Sequence, residues 1–192
     1  MNKKKLPVLG IIIVAFAILA IYRDMTSIED EALFQPWKVF RAEESNFEVL
    51  MPEKNIIVTD SNNIGLFKGK TYEVESYGCI YRVQVGKISP NLSNDALDSI
   101  LYEVASSTLG VITGGLKIDD KNPNAPSISS HTFLDNEMKV VAYRWIFHPV
   151  AGQVRLYKSY VYNLLYQCQD EDAYNKTIRD KFLWSLKPSS FD

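Results

Sequence analysis

Residues Lys70–Ile88 read KTYEVESYGCIYRVQVGKI, and the alternation in this stretch decides the fold. Polar and apolar side chains take turns through Lys70–Ser76, Tyr77-Gly78 supplies a turn, and Cys79–Ile88 alternates again. Cys79, Tyr81, Val83 and Val85 share one side of the second segment, with Arg82 and Gln84 on the other. A period of two on both sides of a tight turn predicts a β-hairpin with a defined inside.

The pattern changes on the C-terminal side. Ser93 is placed to cap a helix, with Asn94 and Asp95 in a first turn that favours polar and acidic groups. Leu97, Ile100, Leu101, Val104 and Ala105 recur at helical spacing, and Gly110 is expected to stop the helix. Asn122–Pro126 is loop by composition. Strands are then expected over Ser127–Leu134 and Met138–His148, either side of a turn at Asp135-Asn136-Glu137. The second carries Val141, Tyr143, Trp145 and Phe147 opposite Arg144 and His148. After a turn at Pro149–Gly152, Gln153–Val161 and Leu164–Gln169 read as a hairpin about Tyr162-Asn163. Asp170-Glu171-Asp172 leads a last helix through Tyr174, Ile178, Phe182 and Leu183, closed by Lys187-Pro188. On the N-terminal side, Phe47, Val49 and Met51 alternate with Glu48 and Leu50 in a strand halted by Pro52, and Ile56-Ile57-Val58 reads as a loop or short strand. Hairpins and helices in this order predict an α+β domain over residues 37–192, one largely antiparallel sheet packed by helices.

The domain is preceded by Leu6–Tyr22 (LPVLGIIIVAFAILAIY), seventeen residues without a charge, between Lys3-Lys4-Lys5 and Arg23-Asp24. At about 1.5 Å per residue a helix of this length spans roughly 25 Å, close to a bilayer core once Lys5, Tyr22 and Arg23 reach the interfaces. A cut after Ala15-Phe16-Ala17 would leave an apolar new terminus from Ile18 to Tyr22, and no cysteine follows to carry a lipid. The reading favours a retained anchor over residues 1–24 and keeps a cleaved signal peptide, with a secreted or periplasmic product, as the alternative. Lysines before the run and Asp24, Glu29, Asp30 and Glu31 after it put the N-terminus in the cytoplasm and the domain outside. Residues 25–36 read as an acidic spacer.

From Met25 onward seventeen Lys/Arg face twenty-two Asp/Glu, interspersed in sign, which excludes the basic stripe of a nucleic-acid binder. Aromatic residues form 12% of the chain, which argues against disorder.

Trp37-x-x-Phe40 followed by Phe47-x-Val49-x-Met51-Pro52 resembles the opening of the PsbP-like family, the extrinsic photosystem protein and its exported bacterial relatives. Val161-x-x-x-Leu165-Tyr166-Gln167 and Phe182-Leu183-x-Ser185-Leu186-Lys187 resemble that family's last strand and closing helix. The resemblance spans Trp37 to Pro188 and implies an α/β/α sandwich around an antiparallel sheet, in proteins that mostly act as non-catalytic accessory or partner-binding domains. The chain departs from the pattern at Asn122–Ser127, where relatives often carry a glycine-containing turn. No photosystem-binding or metal-binding residue carries over, because no motif here matches those positions.

Two candidate features remain. Cys79 and Cys168 are the only cysteines, and both fall on apolar strand sides. They read either as a disulfide or as two separate buried thiols. Arg82, Gln84, Arg144, Arg155 and Gln167, with Tyr157 beside Arg155, point by parity to one polar sheet face. That face reads either as a surface for a partner's carboxylates or as an ordinary solvated one. His131 and His148 lack neighbours at metal-ligand spacing, and a triad of Ser129, His131 and Asp135 lacks a nucleophile elbow. No catalytic residue, metal or cofactor is expected. The functional expectation is a membrane-tethered extracytoplasmic domain that binds a protein partner at or near the membrane. A hydrolase or transferase with an unrecognised site, or a carrier of a small ligand or lipid, is the alternative.

Overall fold

The computed structural model describes residues 34–64, 67–89, 91–129, 132–135, 137–145 and 148–189. The chain divides into two units, Met1–Gln35 and Pro36–Asp192, and the second is described below. The expected anchor at 6–22 and nearly all of the expected spacer lie outside the described residues. Among the described residues no helix is long and apolar enough to cross a membrane.

The strands in chain order are β1 (Trp37–Ala42), β2 (Phe47–Pro52), β3 (Ile57–Ile64), β4 (Phe67–Ser76) and β5 (Cys79–Lys87). Helix α1 (Asn94–Ile112) follows, then β6 (Ser127–Ile128), β7 (Phe133–Asp135), β8 (Met138–Trp145), β9 (Val150–Tyr157) and β10 (Tyr160–Cys168). Helix α2 (Lys176–Leu183) and β11 (Lys187–Pro188) complete the unit. The large antiparallel sheet has the order β3-β4-β5-β10-β9-β8-β6, with β7 also on β8. A small sheet, β1-β2-β11, joins the two ends of the domain. The opening hairpin stands as read: Tyr77 and Gly78 turn it with φ of 49° and 69°, the left-handed geometry that suits a two-residue hairpin.

Both faces of the large sheet are buried. On one, Leu101, Val104, Ala105 and Leu109 of α1 pack on Val141, Tyr143, Val154 and Leu165. Each leucine or valine among them, taken fully out of water, contributes about 1.5–3 kcal/mol. On the other, α2 and the small sheet cover an aromatic layer, with Tyr81 5.5 Å from Phe182 and Phe47 5.4 Å from Tyr72 between ring centres. Cys79 and Cys168 sit directly opposite each other on β5 and β10 and are joined by a disulfide, with Cα atoms 4.0 Å apart. The hairpins that carry them are thus neighbours in the sheet, and the link closes a loop of 89 residues, worth about 4–5 kcal/mol in the chain-entropy picture.

Several expected boundaries move, each for a physical reason. The second hairpin turns at Lys158-Ser159, with Lys158 at φ 53°, and not at Tyr162-Asn163. Asn163 reads as a turn residue but is buried mid-strand: it accepts from the Tyr143 hydroxyl at 2.8 Å and donates to Gln84 and Thr108, both at 2.9 Å. Gly152 is likewise no turn residue. It lies in β9 because a Cβ there would overlap the Tyr143 ring and crowd the Leu164 carbonyl. Helix α1 continues through Gly110, whose missing Cβ leaves open space, and ends at Gly114 and Gly115 with φ of 64° and 86°. The expected strand over Ser127–Leu134 is two short ones, β6 and β7. The edge strand β3 starts within the stretch read as a loop or short strand; Ile57 and Val58 are both exposed there, so burial imposes no alternation. The N-cap of α2 is Asn175, which accepts from Thr177 and Ile178 N–H groups, while Asp170 accepts from Ala173 in the turn before. Lys187-Pro188 does not close the helix, which ends at Leu183; it pairs with β2.

Candidate functional site

Helix α2 has only eight residues and packs on β10, β9 and β2, so the strip of β8 beyond it is left open on that face. The result is a cleft of about 580 Å³ between β6, β8, β9 and α2. Small residues of adjacent strands, Ala142 and Ala151, contribute to its lining, with Ser127 and Ser129 to one side and Arg179, Asp180, Leu183 and Trp184 to the other. A second concavity of about 320 Å³ includes Pro149, Val150, Glu171 and Tyr174. Arg144 and Arg179 line both.

The two arginines differ in their bonding. Arg179 donates to Asp180 at 2.8 Å and to the Tyr174 hydroxyl at 3.0 Å, so its charge is locally balanced. Arg144 is exposed and has no salt bridge or side-chain hydrogen bond among the described residues. Beneath the cleft, Arg155 is wholly buried and bonds to Asp135 at 2.7 Å, to Gln153 through two donors at 2.9 and 2.6 Å, and to the Leu183 carbonyl at 2.9 Å. Burial pulls its guanidinium down from the ordinary value and Asp135 opposes that pull. Its guanidinium also lies 5.1 Å from the ring centre of Trp184, which is half exposed at the cleft wall. Arg155 thus fixes β7, β9 and the end of α2 together, and its role is to position the wall.

The five residues expected on one polar face do not share a face. Cross-strand partners point the same way, and the ladders put Arg82 beside Leu165, Gly152 and Tyr143 on the α1 side. They put Arg144 beside Ala151, Tyr166 and Tyr81 on the α2 side. Gln84 and Gln167 belong with Arg82, and Arg155 with Arg144. The parity reading assumed that the apolar stripes of β5 and β8 face the same interior. In a sheet buried on both faces they face opposite ones. Arg82 is paired with Glu73 at 2.5 Å and Gln84 with Asn163, so neither is offered to a partner. Arg144 alone of the five combines exposure with a concave setting. His131 lies outside the described residues; His148 is exposed, its ring 4.1 Å from that of Trp145. Among the described residues no group of three His, Cys, Asp or Glu is placed to hold a metal ion.

Arg179, Asp180, Ser127 and Trp184 were not singled out from the sequence. One signal was available: Trp184 follows the Ile178, Phe182, Leu183 stripe of α2 and lies off it.

These features define a class, an α+β sandwich with both sheet faces covered and an open cleft where the cover is incomplete. No family model and no curated protein matches the sequence. Among solved structures, the chain is similar to the solution structure of cyanobacterial PsbP (CyanoP) from Synechocystis sp. PCC 6803. The match has a TM-score of 0.51 at 12% identity and covers 79% of this chain and 92% of that one. The chain has the PsbP-like fold, and the resemblance read from its end motifs holds at the level of fold.

Proposed function

We propose that this is an extracytoplasmic accessory domain, held at the inner membrane through residues 6–22, that works by binding a protein partner and not by catalysis. The observation that carries the reading is the cleft, which offers a guanidinium with no partner among the described residues, a half-exposed indole and a floor of small side chains. Arginine and tryptophan are the side chains that most often anchor protein interfaces. The Cys79–Cys168 disulfide supports an oxidising compartment. The lysines before Leu6 and the acids after Tyr22 support the orientation.

Proximity labelling from the intact membrane-bound protein tests the proposal, with wild type and Arg144→Glu at matched levels. A small set of membrane-adjacent proteins labelled by wild type and depleted in the variant is the expected result. An identical set in both, or a mature N-terminus near Ile18 with the protein free of the membrane, would overturn it.

A further inference from the structure

We infer that the cleft is a groove for an extended peptide segment bearing one acidic side chain between apolar neighbours, an inference that rests on the partner-binding reading above. The charges around the groove are the starting point. Asp180 balances Arg179, and Asp120 accepts the Ile128 N–H at 3.0 Å, whereas Arg144 carries a full charge with no protein partner among the described residues. A guanidinium presents five donors in a planar fork that matches a carboxylate. Arg144 stands where the two concavities meet, so its anion belongs at the middle of the groove.

The surroundings narrow the ligand further. Asp120 lines one concavity and Glu171 the other, so a ligand carrying further negative charges on either side of its central carboxylate meets an acidic side chain in each. A single carboxylate at Arg144 keeps its charge away from both. The two concavities, about 580 and 320 Å³, hold far more than a small organic acid fills, and a strand-like segment advancing about 3.3 Å per residue can run through both. The flanks are apolar, with Leu183 and Trp184 on one side and Pro149 on the other. Arg155, bonded to the Leu183 carbonyl and set against the Trp184 ring, holds the wall rigid, so little ordering cost falls on binding.

The test uses the full-length protein, solubilised in detergent and immobilised with its disulfide intact, and three pentapeptide libraries whose centre is fixed as Glu, Gln or three consecutive Glu, with the other positions random. The single-Glu library is expected to be retained at least tenfold over its Gln twin, with apolar residues enriched beside the acid. Arg144→Gln should abolish that difference while leaving the thermal midpoint unchanged, and Lys117→Gln, outside the groove, should retain it. Equal retention of Glu and Gln libraries, no retention of any, or preference for the triple-Glu library would overturn the inference. Retention on anionic lipid vesicles but not of peptides would do the same. Selective single-Glu retention alongside unchanged proximity labelling would keep the groove and remove the tethered-partner reading. The reverse pattern removes the groove alone.

Discussion

The two faces of the large sheet are closed in different ways. One is covered over β8 to β10 by a single 19-residue helix, whose Thr108 joins Tyr143 and Gln84 of the sheet in a hydrogen-bonded group centred on Asn163. The other is covered by two pieces, a three-stranded sheet and an eight-residue helix, drawn from opposite ends of the domain. The piecewise cover meets the sheet with a large aromatic layer but stops short of β8, and the exposed Arg144 stands in the gap. Over β8 to β10 the continuous element closes its face, while the discontinuous one leaves an edge, and an edge is where a concave, charged surface can form.

The largest expected effect tests whether the piecewise face depends on the buried Arg155. Arg155→Met removes the ion pair with Asp135 and strips Gln153 and the Leu183 carbonyl of their donors. It should cost about 3–5 kcal/mol in urea unfolding and shift the emission of Trp184 to the red. A loss below about 1 kcal/mol would mean that α2 is held by apolar packing alone.

On the α1 face, Gly152→Ala places a methyl group against the Tyr143 ring and should cost about 3 kcal/mol through overpacking. Its partner substitution, Gly110→Ala, meets open space in a helix and should stabilise by about 0.5–1 kcal/mol. Similar values for the two would break the picture of a tightly finished face.

Tyrosines on both faces share a pH dependence. Burial, the largest cause for each, pushes Tyr143, Tyr162 and Tyr166 above the ordinary phenol range. Their folded values exceed the unfolded one, so the stability they contribute is complete below about pH 10 and declines above it, as the unfolded chain alone gives up protons. The loss should reach about 1.4 kcal/mol per pH unit for each tyrosine. Urea midpoints between pH 9 and 11.5 should fall steeply, and Tyr143→Phe should lessen the slope. A flat profile would show that water reaches these hydroxyls on one face or both.

Much of the fold was legible in the sequence, because alternation and helical spacing are local. The opening hairpin, α1 with its Ser93 cap, β2 with Phe47, Val49 and Met51 buried, and the α+β order all follow from short-range pattern. The misread elements are those in which tertiary partners reverse a residue's usual meaning. Asn163 and Gly152 look like turn residues and are core residues, one bonded on several sides and the other making room for a ring. The candidate site was less legible for a related reason. Parity tells which residues of one strand share a side, but it cannot say which side of a doubly buried sheet that is. Arg144 was therefore singled out together with residues on the opposite face, and Trp184 and Arg179 reach it only through the packing of α2.

The disulfide has a mechanical consequence. Cys79 and Cys168 close a covalent ring that contains β5, α1 and the strands β6 to β10. A pull applied between the N-terminal and C-terminal ends of the domain passes through the sulfur atoms and bypasses everything between them. The extensible length falls by roughly 300 Å at about 3.4 Å per residue. The cleft's floor, on β8 and β9, lies inside the shielded ring, while its wall, on α2, lies on the loaded path. Tension would therefore first part β11 from β2 and then draw the wall away from a floor that stays intact, so the grip on anything held there would respond to load before the large sheet did.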